Sequence, residues 1–504
     1  MKKLFILLAS SVILSHANAQ NHEDVFRYSL YNFQGSPRTM ATAGAWGAVG
    51  ADLSSASINP AGIALYRRNE AMAAIALNSY ATDTKYGTDQ AQAHDYRLGF
   101  NIPNFGFVLN QTNQYMGKDA KQGLISYQFA FGMNRLADFQ QNITLAGNVK
   151  NTSVSDYLAQ LANGIDSTNF GSSDYDNTLY ALAWRTRLID NLLNDPNSYA
   201  SIQSRQNDTD YTMLQTQGIK NRGRMYEWYI SGGLNLSNKI YLGASLIIQD
   251  VNFSSEVTYQ ESLLKSSLLN NVYQSSSITN NLSTKGSGIG GRIGMIIRPN
   301  DYFRVGFSYQ TPVILNLKDV YSNTLSITYY NGTVYSQPAN SRDDFFEYNI
   351  TTPGRIGLQT AVILPHLGLL SFDYDLVDYS TGRISADGIS QQYILSKNAD
   401  MSRKYQQAAN YRLGLEVKAD FMKLRAGYAY MGSPYNPNEV SEENGCRYLY
   451  SAGLGFALDE QASFDFGLNY ITGKNYYKTY ETNALSASTQ FNRIVFAMGT
   501  SIKF

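Results

Sequence analysis

The chain reads as an all-β protein, a 14-stranded antiparallel transmembrane β-barrel with an N-terminal hatch in its lumen. Three observations lead there. Aromatic residues make up 13% of the 504, with 39 Tyr and 23 Phe beside 40 Gly and only 11 Pro, a composition suited to amphipathic strands and aromatic girdles at a membrane interface. Segment after segment alternates apolar and polar residues with a period of two. The connections between these segments alternate long and short, the asymmetry of a barrel with extracellular loops and tight periplasmic turns.

Residues 1–19 read as a secretory signal: Lys2 and Lys3, an apolar run from Leu4 to Leu14, then Ala17-Asn18-Ala19 before Gln20. Gln rather than Cys at position 20 gives no lipid anchor, and a single cysteine, Cys446, gives no intramolecular disulfide. No later apolar run reaches the roughly 18 residues of a spanning helix. The formal net charge of zero gives no reason to expect nucleic acid.

Residues 20–69 are the expected hatch. Gly35 to Leu65 has too few large apolar side chains to build its own core and too many glycines for a stable helix, so it must be held inside something larger. It ends in Asn59-Pro60-Ala61-Gly62, the gate candidates, with Pro60 stiffening a turn that faces the periplasm. Its small residues suit tight packing and sliding or rearrangement within a narrow lumen.

From Glu70 the period is two, and residues 70–504 are the expected barrel. Strands are placed at 70–84, 97–111, 124–135, 224–236, 239–258, 284–298, 302–311, 353–364, 367–379, 408–418, 421–430, 446–457, 461–473 and 490–503. Phe303, Val305, Phe307 and Tyr309 form an apolar face opposite Arg304, Gly306, Ser308 and Gln310; Tyr411, Leu413, Leu415 and Val417 repeat the pattern opposite Arg412, Gly414, Glu416 and Lys418. Short turns fall at 237–238, 299–301, 365–366, 419–420 and 458–460, and long loops at 136–223, 259–283, 312–352, 380–407, 431–445 and 474–489. Only the connection 112–123 departs from the rule. Both termini then lie in the periplasm, and the closing strand keeps its period through Phe496, Met498, Thr500 and Ile502 to Phe504. A terminal Phe resembles the sorting signal read by the outer-membrane assembly machinery, an expected partner during biogenesis. The largest loop, 136–223, contains two amphipathic helix candidates, Val154 to Ala162 and Leu179 to Leu193, the second stopped by Asp195-Pro196. They are expected to lid the barrel or to form an entry platform for an apolar ligand.

Little in the sequence points to catalysis. Gly286-x-Gly288-x-x-Gly291 matches a dinucleotide fingerprint in form only, because an alternating strand follows where a helix N-terminus is needed. His22, His94 and His366 are scattered over the N-terminus, a loop and a turn, so no metal, cofactor or enzymatic site is expected. A Lys or Arg on the lipid face near mid-membrane costs about 2 to 4 kcal/mol. Arg292, Arg304, Arg355, Arg412, Arg425 and Arg493 are therefore expected in the lumen, with Asp373, Asp375, Glu416 and Asp465 as partners. They form either a network that holds barrel and hatch together or, at Arg304, Arg355, Arg412 and Arg425, a binding site for a ligand carboxylate.

The run from Met40 to Gly62, MATAGAWGAVGADLSSASINPAG, resembles the N-terminal hatch of the FadL-type outer-membrane transporters of long-chain fatty acids and aromatic hydrocarbons. FRVGFSYQTP (303–312), TTPGR (351–355), SFDYDLVDYS (371–380), YRLGLEV (411–417) and LRAGYAYMGSP (424–434) resemble that family's barrel strands. The resemblance implies a monomeric 14-stranded barrel in the outer membrane of a Gram-negative bacterium. It also implies capture of hydrophobic small molecules by the extracellular loops, and passive release sideways into the surrounding lipid through a kinked strand. Asn59-Pro60-Ala61 matches the family's hatch motif, and Pro103, inside a strand, is a candidate for the lateral opening. The long Asn-, Ser- and Tyr-rich loops support a second reading, an outer-membrane scaffold or shuttle for secreted proteins.

Overall fold

The computed structural model describes residues 22–30, 34–113, 122–172, 175, 178–192, 195–268, 270–330, 333–338, 344–387, 390–439, 445–480 and 485–504. The signal 1–19 and most of the connection 112–123 lie outside the described residues.

A closed antiparallel barrel of fourteen strands organises the described chain: β1 Glu70–Tyr86, β2 Ala91–Thr112, β3 Leu124–Asp138, β4 Tyr211–Leu236, β5 Ile240–Ser266, β6 Tyr273–Ile297 and β7 Phe303–Gln310, then β8 Arg355–Leu364, β9 Gly368–Asp378, β10 Gln407–Ala419, β11 Met422–Met431, β12 Arg447–Ala457, β13 Ala462–Lys478 and β14 Ser486–Lys503. Each pairs with the next, and β1 closes the barrel on β14 in unbroken register from Glu70↔Lys503 to Lys85↔Ser488. Closure leaves the sheet without a free edge at membrane depth.

The alternation sets the two faces. Phe303, Val305 and Phe307, like Tyr411, Leu413, Leu415 and Val417, are exposed to lipid, while Gly306, Ser308 and Gln310 are buried inward. A belt of outward tyrosines crosses adjacent strands at their extracellular ends, with ring centroids 5.3 Å apart for Tyr374 and Tyr411, 6.3 Å for Tyr411 and Tyr430, and 5.5 Å for Tyr430 and Tyr448. This is the interfacial girdle that the tyrosine excess foreshadows.

On one side the wall continues well past that belt. β4, β5 and β6 begin or end at Tyr211, Ser266 and Tyr273, beyond the expected limits of 224, 258 and 284. Gln141–Lys150 pairs with upper β4, and Ile314–Tyr329 with upper β6 and with Asp344–Thr351. Much of the sequence expected as loop in 136–223, 259–283 and 312–352 is therefore strand. These segments also alternate, with Ile143, Leu145 and Val149, and Leu325 and Ile327, on the buried face, but the opposite face carries Asn, Thr and Ser, so the oily outer face that marks a membrane strand is missing.

The extension encloses a second core, built on Leu158, Phe170, Leu182, Met213, Tyr259 and Leu325. Its helix Val154–Ala162 has the expected limits. The second helix is shorter than expected. It spans Leu179–Arg185, and Ile189–Leu192 forms a hairpin with Asp195–Ser201 instead. Thr186 Oγ1 turns back onto the carbonyls of Leu182 and Ala183 (2.9 and 3.1 Å), and Arg187 adopts a left-handed φ of 63° that no helix can continue through.

Candidate functional site: hatch, lumen cavity and wall seam

Inside the barrel, residues 34–66 fold into short turns rather than a domain with its own core. Asp52 caps the 3-10 turn Leu53–Ser57, and Asn59 caps the turn Pro60–Leu65 by accepting from the Ala61 amide at 3.1 Å. Pro60 stands at the first position of that turn, where its missing N–H costs nothing. The Ala51 amide donates to Gly62 O at 2.9 Å, and a Cβ on Gly62 would lie 2.6 Å from Ser55 Oγ. All four gate candidates, Asn59, Pro60, Ala61 and Gly62, are buried.

The wall is recessed to receive this turn. A Cβ on Gly294 would lie 2.0 Å from Asn59 Oδ1, and one on Gly243 would lie 2.2 Å from the Pro60 carbonyl carbon. Asn59 Nδ2 reaches across to Gln359 Oε1 (3.1 Å) and Met295 O (3.4 Å). Further wall side chains hold the hatch around its circumference. Arg304 donates to Val49 O, Arg292 to Ala56 O (2.8 Å), Ser371 to Ala45 O (2.5 Å) and Ser451 to Ala41 O (3.0 Å). The Gly47 amide donates to Asp373 (2.9 Å), Ser57 to Glu227 (2.5 Å), and Arg38 lies 3.8 Å from Asp465. The hatch is thus fixed at many separate points.

The six expected lumen arginines all face inward. Arg425 bridges Glu416 (2.7 Å) and Asp465 (2.6 Å), and Arg493 pairs with Asp138 (3.1 Å). Arg292 forms a two-pronged pair with Glu227 at 3.0 and 3.1 Å. A cavity of about 100 Å³ lies above the hatch, and Arg355 and Arg412 line it together with Arg292, Arg447 and apolar groups such as Ile58 and Leu449. Arg355 donates to Ser29 O of the N-terminal helix, and Arg412 to Asp375. Arg304 and Arg425 do not line this cavity; the first anchors the hatch, and the second bridges two wall carboxylates. Sequence reasoning missed Arg447, Glu227 and Asp138. Glu227 and Asp138 sit in strands, opposite positions that only the register reveals.

The ladder of the wall is interrupted on one side. β2 and β3 pair from Thr112↔Ser126 up to Asn104↔Asn134, and the ladder stops there. Directly beyond is Pro103, where β2 carries an extra residue against β1 between the pairs Ala76↔Asn101 and Ala74↔Asn104. Proline supplies no ladder donor, and the bulge bends the strand. Above it β2 pairs with β1 alone, β3 pairs with β4, and the hatch takes the vacated edge: the Gln34 amide donates to Arg135 O at 2.9 Å. The two sides meet again higher up through Thr144 and Asp95 (3.2 Å). Leu98, Phe100 and Ile102 are exposed on the outer face of this stretch, so the seam lies within the lipid-facing belt.

Other candidate features resolve simply. Gly286, Gly288 and Gly291 lie inside β6, with no helix after them. His94 contacts Asp83 on the exterior, and among the described residues no group of three or more His, Cys, Asp or Glu is placed to hold a metal ion. Tyr430 OH and Cys446 Sγ are 3.2 Å apart.

A model of the family described as outer membrane protein transport protein (OMPP1/FadL/TodX) matches residues 225–504. No curated protein sequence matches the chain. Among solved structures the fold is similar to a Pseudomonas aeruginosa FadL homologue, at 14% identity and a TM-score of 0.56, covering 94% of this chain and 100% of that one. It is also similar to the Pseudomonas putida toluene transporter TodX, at 14% identity and a TM-score of 0.51 over the same shares.

Proposed function

We propose that this chain, which belongs to the OMPP1/FadL/TodX family of outer-membrane transport proteins, admits hydrophobic small molecules passively through the lumen above the hatch and releases them sideways through the seam between β2 and β3. The observation that carries this reading is the interrupted ladder at Pro103. It is a break in the wall at membrane depth, beside the hatch and facing lipid. A hydrophobic molecule leaving there enters lipid directly and never crosses water.

The anchoring of the hatch supports the same route. Each neutral hydrogen bond contributes about 1 kcal/mol and those to charged groups more, so freeing the whole hatch would cost on the order of 10 kcal/mol. A passive channel has no source for that. Local movement near Gln34 and Ser57, where the hatch borders the seam, asks for far less. The mixed lining of the cavity, apolar side chains beside Arg355 and Arg412, suits the head and first carbons of a long-chain fatty acid or related amphiphile. Uptake of labelled long-chain fatty acids and aromatic hydrocarbons by a deletion strain tests the reading. A clear drop, restored by the wild-type chain, is expected. Equal uptake by both strains for both substrate sets would sink it.

A further inference from the structure

The direction of two hydrogen-bond chains decides what the seam can hold. Glu227, gripped by Arg292, is an acceptor, so Ser57 donates to it at 2.5 Å. The Ser57 oxygen then accepts from Asn134 Nδ2 at 2.7 Å, and Asn134 Oδ1 accepts from Asn104 Nδ2. Asn104, fully buried, is left presenting an Oδ1 with no partner in the protein. The same logic runs from Asp138, which is ion-paired with Arg493 (3.1 Å) and Arg135 (3.2 Å) and accepts from Asn78 Nδ2 at 2.5 Å. Asn78 therefore also presents a bare Oδ1. Because a carboxylate terminates each chain, neither amide can be turned over without placing acceptor against acceptor.

Asn101 lies between them. The β1–β2 register sets Asn78 opposite Gly99, Asn101 opposite Ala76 and Asn104 opposite Ala74, all on the inner face. Asn101 is 5% exposed, and neither its oxygen nor its nitrogen has a partner in the protein. Beside it Gly99 faces open space, since a Cβ there would meet only Gln140 Cγ, at 4.0 Å. Asp95 and Arg97, of opposite charge, flank the upper end. Ser57, at the head of the chain through Asn134 to Asn104, also lines the lumen cavity.

We propose that the seam selects apolar molecules carrying a hydroxyl group over carboxylates of the same skeleton, with Asn78, Asn101 and Asn104 as the specificity-determining residues. This rests on the seam being the exit. A hydroxyl donates to a bare amide oxygen and accepts from Asn101 Nδ2. A carboxylate brings only acceptors to the two fixed oxygens, and must shed its water to do so. A plain hydrocarbon passes without satisfying any of the three amides.

Uptake of labelled dodecanol, dodecanoate and dodecane by intact cells carrying the full chain tests this, with heat-modifiable migration reporting assembly of each variant. Wild type should take up dodecanol faster than dodecanoate. Asn101→Leu should lower dodecanol uptake about fivefold, the loss of one neutral hydrogen bond, and leave dodecane unchanged. Gly99→Trp, which fills the open space beside Asn101, should lower all three. Dodecanoate entering as fast as dodecanol in wild type, or Asn101→Leu moving dodecanol and dodecane together, overturns the hydroxyl selectivity and leaves the exit standing. If Gly99→Trp assembles and changes none of the three, the exit itself is lost and the selectivity with it. The wild-type comparison of alcohol and acid decides the point even where a variant fails to assemble.

Discussion

Gly294 shows how much a single absent side chain can decide. It looks like any small residue in an alternating strand, yet the Asn59 side chain occupies the space its Cβ would fill. Gly294→Ala should cost about 1 to 3 kcal/mol through overpacking and push the Asn59-Pro60 turn off the wall. The barrel should still migrate as a folded species while ionic conductance in planar bilayers rises; a bilayer as quiet as wild type would contradict the assigned contact. The buried pair Arg292 and Glu227, 2% and 0% exposed at their side chains, has a different signature. Arg292→Met should cost about 3 to 5 kcal/mol, because Glu227 is left buried without its counter-charge, and adding Glu227→Leu should recover most of the loss. Urea midpoints of single and double variants make the comparison, and a double variant no more stable than the single one would count against it. The inward orientation of Arg292 was legible from the cost of charge in lipid; its partner was not, since Glu227 lies 65 positions away.

At the level of elements, the strands inside the membrane were easy to read and those outside it were not. Lipid on one face and a polar lumen on the other impose strict alternation, and each of the fourteen expected segments overlaps one barrel strand. Above the belt the outer face meets water and the apolar face turns inward onto the second core, so strands such as Gln141–Lys150 lack a lipid-facing stripe and pass for loop. The helix Val154–Ala162 is tied to the extended wall by Glu261. That buried carboxylate accepts from Ser153 Oγ (2.7 Å), the Val154 amide (3.0 Å), Gln215 (2.7 Å) and Tyr259 (2.5 Å). Glu261→Leu strands these donors at about 1 to 3 kcal/mol each. Limited proteolysis should then cut within 136–223 at protease levels that spare wild type, with the barrel intact. Equal resistance would show that the second core holds the helix without this carboxylate.

For the molecule as a whole, hatch and barrel each depend on the other. Residues 34–66 have no core apart from the wall, and lumen residues such as Gly243, Gly294, Arg292 and Arg304 find partners on the hatch. Removing 35–65 should therefore turn a plugged barrel into a strongly conducting one and lower its urea midpoint, measured on the same purified protein; a truncated barrel that conducts no better than wild type would mean the plug lies elsewhere. The sequence alone determined the barrel, its strand number, the inward arginines and the hatch, because each follows from local alternation, local composition or the cost of placing charge in lipid. Pro103 too could be singled out as an interruption. Only the tertiary structure decided that β3 parts from β2 beside that proline, that Gln34 takes the freed edge, and that two carboxylates from separate strands orient the amides lining the gap. Those are matters of register between distant segments, and a period of two carries no information about which strand lies beside which.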